Sequence, residues 1–338
     1  MKKIERSWLL PLILMGAIIL LWNGCKKEET ASFALTSIER ITDNSATCAC
    51  EITSDGNSTV TASGVCWSTS VWPTIADNIT TDGKGSGKYN CQITGLSPNQ
   101  LYHVRAYATN SQGTSYGEAV YFTTNPTVTD KDGNVYHTIY IGTRIWMSEN
   151  LRVTHYRNGE AIAKITGDQE WIAATTGAYC EYQHSNANSQ VYGYLYNAFA
   201  VMDDRGLAPE GWHVATDEEW KFLEGCIDSQ YHLDDPEWDK TLYRGLDAGG
   251  NLKAVSDYWS DPNTGATDAS GFSALPGGYR ETTQAVFYGI HVKASFWTST
   301  RGSQMNTWAR EVNHDNAGIL RSTYTNGLGA SVRCIRAL

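Results

Sequence analysis

The chain has 338 residues, 41% of them hydrophobic, with 26 Lys and Arg against 36 Asp and Glu and a formal net charge of −10. That is length for about two domains with real apolar cores, which excludes disordered and collagen-like structure. The acidic balance also excludes a protein held by bulk charge to nucleic acid or anionic lipid.

Residues 1–24 read as a secretory leader. Lys2, Lys3 and Arg6 form a basic start, an apolar run from Trp8 to Trp22 follows, and Asn23-Gly24 precedes Cys25. The run is shorter than the roughly 20 residues that a spanning helix needs. Cys25 after Gly24 resembles a lipobox, which implies cleavage before Cys25 and its acylation, with 25–30 as a lipidated tether to the membrane. Lys26-Lys27-Glu28-Glu29 resembles the signal that exports lipoproteins to the outer face of some Gram-negative cells, and a solvated tether explains it as well. The expected location is the outer membrane, lipid-anchored and surface-exposed.

From 31 to 125 short alternating runs rich in Thr, Val and Tyr are broken by turn signals such as Ser54-Asp55-Gly56-Asn57 and Ser97-Pro98-Asn99, the pattern of an antiparallel sandwich. Ile93-Thr94-Gly95-Leu96-Ser97-Pro98-Asn99 followed by Leu101-Tyr102-His103-Val104-Arg105-Ala106-Tyr107 resembles the fibronectin type III domain. The resemblance implies an all-β sandwich with Leu96 and Tyr102 buried, acting as a spacer or a protein-binding module.

Beyond Thr123-Thr124-Asn125-Pro126-Thr127 the composition changes, and eight of the 12 Trp fall there. Thr216-Asp217-Glu218-Glu219 is a capping box, and Trp220, Leu223, Cys226 and Ile227 repeat on one face, which predicts a helix over 217–228. Six strings occur in order: Asp130-Lys131-Asp132-Gly133-Asn134, Trp146-Met147-Ser148-Glu149-Asn150-Leu151, Gly211-Trp212-His213-Val214, Gly277-Gly278-Tyr279-Arg280, Phe296-Trp297-Thr298-Ser299-Thr300 and Val332-Arg333-Cys334. Together they resemble the Fibrobacter succinogenes major paralogous domain over 127–338. The resemblance implies an extracytoplasmic α+β module of the wider C-type lectin-like fold, mostly short strands with few helices, and licenses no activity.

Of eight cysteines, Cys25 is assigned to lipid, and the seven others cannot all pair within one chain. Cys48 and Cys50 lie two apart on a strand and face one side, where small apolar packing is their expected use. The eight His are scattered without a zinc spacing, and neither a Gly-x-Ser-x-Gly elbow nor a phosphate loop is present. No cofactor is expected, with calcium the one candidate: Asp261-Pro262-Asn263 followed by Asp268 resembles the acid-Pro-Asn triplet of true C-type lectins.

The expected function is that of a cell-surface lipoprotein, not an enzyme, whose lectin-like head binds extracellular polysaccharide or protein. Tyr288, Trp308, Arg310 and Asn313, which follow turn signals near the C-terminus, are the candidate ligand contacts. Alternatives are a structural or protein-adhesion component without glycan binding, and a glycoside hydrolase using Asp203-Asp204 or Asp234-Asp235.

Overall fold

The structure, a computed structural model, describes residues 27–33, 37–82 and 85–337. Cys25 and the leader lie outside the described residues. Two compact units make up the chain: the first runs up to Thr124, and the second is Asn125–Leu338 together with Thr42–Asn44 and Ser97–Asn99. No helix among the described residues is long and apolar enough to cross a membrane.

The strands of the first unit are β1 (Ser32–Phe33), β2 (Ser37–Glu39), β3 (Ser45–Ser54), β4 (Ala62–Ser68), β5 (Asn78–Ile79), β6 (Gly87–Thr94), β7 (Leu101–Asn110), β8 (Gly113–Tyr116) and β9 (Val120–Thr123). β1 and β2 share one edge of β3 and β6 takes the other, while β5-β4-β7-β8 form a second sheet in which β9 also pairs with β7. Alternation along β3 turns Ala46, Cys48, Cys50 and Ile52 inward. The first three pack with Val65, Trp67, Val104 and Ala106 of the other sheet in one apolar cluster, which makes the unit a β-sandwich. Leu96 and Tyr102 are buried in that cluster, the Tyr102 ring 5.9 Å from Phe122. Gly64 is required where β4 meets the chain at Thr80, because a Cβ there would lie 2.3 Å from the Thr80 carbonyl oxygen.

In the second unit β10 (Val128–Thr129) and β11 (Val135–Tyr136) form a hairpin. Its Asp130 carboxylate accepts from the Asp132 and Asn134 amides, each at 2.9 Å, and from the Tyr136 hydroxyl at 2.6 Å, so this acidic loop is a turn. Further strands are β12 (Thr138–Ile141), β13 (Arg144–Met147), β14 (Ala163–Lys164), β15 (Ala178–Cys180), β16 (Leu195–Tyr196), β17 (His213–Val214), β18 (Leu242–Arg244), β19 (Gly277–Arg280), β20 (Phe287–Ile290), β21 (Lys293–Arg301), β22 (Asn306–Asn313), β23 (Ile319–Thr325) and β24 (Cys334–Ala337). One sheet has the order β12-β13-β24-β17 and the largest the order β18-β23-β22-β21-β19-β20.

The helix Asp217–Ile227 follows β17. Thr216 caps it, accepting from the Glu219 amide while the Glu219 carboxylate reaches back to the Thr216 amide, as the capping box predicts. Trp220 and Leu223 on its buried face pack with Trp146, Trp238, Phe272 and Phe296. Large aromatics fill this irregular unit: Trp146, Trp171, Trp220, Trp238 and Trp297 are all fully buried.

Candidate binding face

Side chains alternate across a strand, so the six-stranded sheet has two unlike faces. One face is closed by the helix Asp217–Ile227. Val312 of β22 and Ile319 of β23 join its apolar packing, and beside them lies a buried ionic network. Arg310 donates to Glu224 at 2.6 Å and to Asp217 at 2.7 Å, Arg321 donates to Asp217 at 2.6 and 3.0 Å, and Arg244 pairs with Glu224. Burial alone would raise the Asp217 carboxyl, but the hydrogen bonds from Arg321 and the charge of Arg310 hold it down at about 2.

The other face is open at one end. There β21 presents Lys293, β22 Glu311 and β23 Tyr324, joined on one side by Tyr279 of β19. These line a concavity of about 360 Å³ with Glu281, Thr282, Asn306, Thr323 and Thr325. Glu311 is buried, its carboxylate taking Lys293 Nζ at 2.9 Å and the Tyr324 hydroxyl. Burial would push the Lys293 ammonium down, but the Glu311 charge reverses this and holds it above its usual value. Burial, then Glu311, pushes the Tyr324 phenol up. Lys293 Nζ also lies 5.5 Å from the Tyr279 ring centre, over its face. Tyr288 stands opposite Tyr279 in the β19–β20 pairing, 46% exposed, with the two ring centres 5.8 Å apart. Gly278, at φ +65°, permits this approach, since a Cβ there would sit 2.3 Å from the Tyr288 carbonyl oxygen.

A family model for the Fibrobacter succinogenes major domain matches residues 139–336. The chain belongs to that family. In this Fibrobacter succinogenes major domain the motif strings are mostly buried framework. Arg333 is fully enclosed and donates to Asn150 at 2.6 Å and to the Met147 and Phe272 carbonyls at 2.9 and 2.7 Å. Arg280 donates to the Ile165 and Ala285 carbonyls, both at 3.0 Å, and Trp297 to the Tyr196 carbonyl at 2.8 Å. No curated protein matches the chain. Similar solved structures include fibronectin-type β-sandwich domains. The sensor domain of the anti-sigma factor RsgI4 of Pseudobacteroides cellulosolvens is 15% identical over 29% of this chain and 97% of its own, with a TM-score of 0.22. The FN1–FN3 domains of chicken CNTN1 are 17% identical over 29% and 32%, with a TM-score of 0.22. A redesigned β-sandwich protein is 21% identical over 28% and 94%, with a TM-score of 0.21.

The four ligand contacts expected from sequence do not come together. Tyr288 is at the rim of the open face, but Arg310 is 0% exposed in the ionic network of the closed face and is corrected to a structural residue. Trp308, on the Arg310 side of β22, is half-buried and covered by the Arg321 guanidinium 3.7 Å from its ring centre, so it is no free platform. Asn313 ends β22, and its carbonyl accepts from Lys253.

The residues of the calcium triplet make contacts within the chain. The Asp261 carbonyl accepts from His314 at 2.9 Å, Asn263 Nδ2 donates to the Ala254 carbonyl at 3.2 Å, and the Asp268 carboxylate closes on Ser273 at 2.7 and 2.8 Å. No group of three or more His, Cys, Asp or Glu fit to hold a metal occurs among the described residues. The cation nearby is the chain's own: the buried Lys253 ammonium donates to the carbonyls of Thr264, Asn313 and Asn316 at 2.8, 2.8 and 3.0 Å. Of the hydrolase candidates, Asp203 is gripped by Arg205 at 2.7 and 2.8 Å, and Asp235 accepts from the Glu237 amide at 2.8 Å.

Sequence reasoning missed Tyr279, Lys293, Glu311 and Tyr324. The signal for them was parity: 320, 322 and 324 share one face of β23, as 293 and 295 do on β21, opposite the residues that pack on the helix.

Proposed function

We propose that this protein is a lipid-anchored surface protein whose second unit is a non-catalytic, lectin-like recognition head for neutral extracellular polysaccharide. The observation that carries this reading is the open concavity in which Tyr279 and Tyr324 flank the Lys293–Glu311 pair, with the exposed Tyr288 ring 5.8 Å from that of Tyr279. Tyrosine rings offer flat apolar faces to the C–H faces of a sugar ring, while Glu281 and Thr282 of the same lining supply polar groups for its hydroxyls. Lys293 and Glu311 neutralise each other, so no free cation stands ready for an acidic polymer. In support of the lectin-like fold, β13 and β24, from opposite ends of the unit, are paired neighbours, and β24 pairs in turn with β17, which leads into the helix. Cys25 supports the anchor, and the first unit serves as spacer.

The test is a glycan array probed with the Cys25→Ser chain, followed by calorimetry on the best ligand. Retention of neutral glycans, lost on Tyr288→Ala and without product release, is the expected result. Hydrolysis products that vanish on Asp234→Asn or Asp235→Asn would replace this reading by the hydrolase one.

A further inference from the structure

Inside the first unit three cysteines meet at one place. Cys48 and Cys91 are direct partners across β3 and β6, and Cys50 is the next inward residue of β3. All three are buried in the apolar cluster, with Cys48 Sγ 3.6 Å from Cys50 Sγ and the Cys50 thiol also within hydrogen-bonding reach of Cys91. Cys66 stands apart on β4, its thiol donating to the Pro73 carbonyl at 3.3 Å.

Backbone geometry ranks the pairings. Residues directly opposite in an antiparallel ladder have Cα atoms about 4.5–5.5 Å apart, within the roughly 4.4–6.8 Å that a disulfide spans. Neighbours two along a strand are about 6.6 Å apart, at the far edge of that range. A Cys48–Cys50 bond would also tie β3 only to itself, whereas a Cys48–Cys91 bond ties two strands of one sheet.

We propose that Cys48 and Cys91 form a cross-strand disulfide when the chain folds in the presence of a disulfide oxidant, with Cys50 left as a thiol beside it. Each of the two thiols loses a proton, one S–S bond forms, and the two electrons reduce one small disulfide of the glutathione class to two thiols. Because these sulfurs are solvent-excluded in the closed sandwich, the bond forms before the two sheets pack. In the cell the step rests on the exported location proposed above. The experiment below supplies its own oxidant and so stands apart from that reading.

The full chain is unfolded, reduced, and refolded either with a mixture of oxidised and reduced glutathione or with dithiothreitol alone. Alkylation in denaturant, intact mass and peptide mapping then count and locate the thiols. The expected result is two fewer alkylations after oxidative refolding, a peptide link between Cys48 and Cys91, and a melting temperature higher by about 10 °C than in the reduced chain. Cys48→Ala should abolish the link and Cys50→Ala should spare it. Complete alkylation after oxidative refolding, or a Cys48–Cys50 or Cys50–Cys91 link, overturns the proposal on the unaltered chain, whether or not the variants fold.

Discussion

The two faces of the six-stranded sheet carry the same kinds of side chain and use them in opposite ways. On the closed face Arg244, Arg310 and Arg321 meet Asp217 and Glu224 under a helix, and every carboxylate oxygen there already accepts from an arginine. On the open face a single pair, Lys293 and Glu311, sits at the floor of a concavity rimmed by tyrosines. The difference teaches that a charge beside an aromatic is not in itself a binding signature. Trp308 and Arg310 look like a ligand clamp in sequence, but alternation sends the guanidinium of Arg310 into the sealed layer. Tyr279 and Tyr288 carry no charge and reach the surface.

The sharpest way to break this comparison is to remove one charge from each face. Glu224→Gln leaves the Arg244 guanidinium buried without its counter-ion and Arg310 with Asp217 alone. It should destabilise the second unit by about 3–5 kcal/mol, read as a drop in its denaturant midpoint. Glu311→Gln keeps the shape of the floor and loses one partly hydrated pair, for which a loss of roughly 1–2 kcal/mol is expected. Equal losses at the two positions would show that the open face is as sealed as the other.

A loss between these is expected at Lys253. Lys253→Met fills the same space but leaves three backbone carbonyls without their shared donor, so stability should fall by about 2–4 kcal/mol. Millimolar calcium should not restore it. Full rescue by calcium would show that the Asp261–Asp268 loop is a cation site after all.

Acid tests the closed face without mutation. Asp217 has a folded pKa of about 2 against an ordinary value of 3.8, so as pH falls the unfolded chain takes up this proton first. The stabilisation, roughly 2 kcal/mol, is therefore complete above about pH 5 and disappears as pH falls through 2. Asp217→Asn should flatten that part of the stability profile, and an unchanged slope would remove the ionic network from the account.

How much of this was legible in the sequence follows from range. The helix was, because the Thr216–Glu219 capping box and the Trp220, Leu223 spacing are local. So was the first sandwich, whose strands alternate along β3 and whose Leu96 and Tyr102 are buried at the ends of adjoining strands. The family was legible as well, because its strings are largely core framework, with Arg333 and Trp297 enclosed in this chain. The binding face was not, since Lys293, Glu311 and Tyr324 come together only through the register of three strands, in which Ser295 opposes Glu311 and Leu320 opposes Glu311 on the other side. Nor was the role of Arg310, whose partners Asp217 and Glu224 lie some ninety residues earlier in the chain.

The smallest effect on stability should come from the residue with the largest expected effect on binding. Tyr288 is 46% exposed, and its ring touches the sheet mainly through Tyr279. Tyr288→Ala should therefore change stability by no more than about 0.5 kcal/mol, the range of ordinary surface substitutions. If the open face holds a sugar ring, the same change removes an aromatic anchor, for which about 2 kcal/mol and roughly thirtyfold in affinity are expected. Trp308→Ala should show the reverse, because its ring is already covered by Arg321: a loss of stability near 2 kcal/mol and unaltered glycan affinity. Calorimetric titration and thermal unfolding of the two variants side by side decide the matter. If Trp308→Ala weakens binding while Tyr288→Ala leaves it untouched, the ligand sits on the helix side of the sheet and the two faces must exchange their roles.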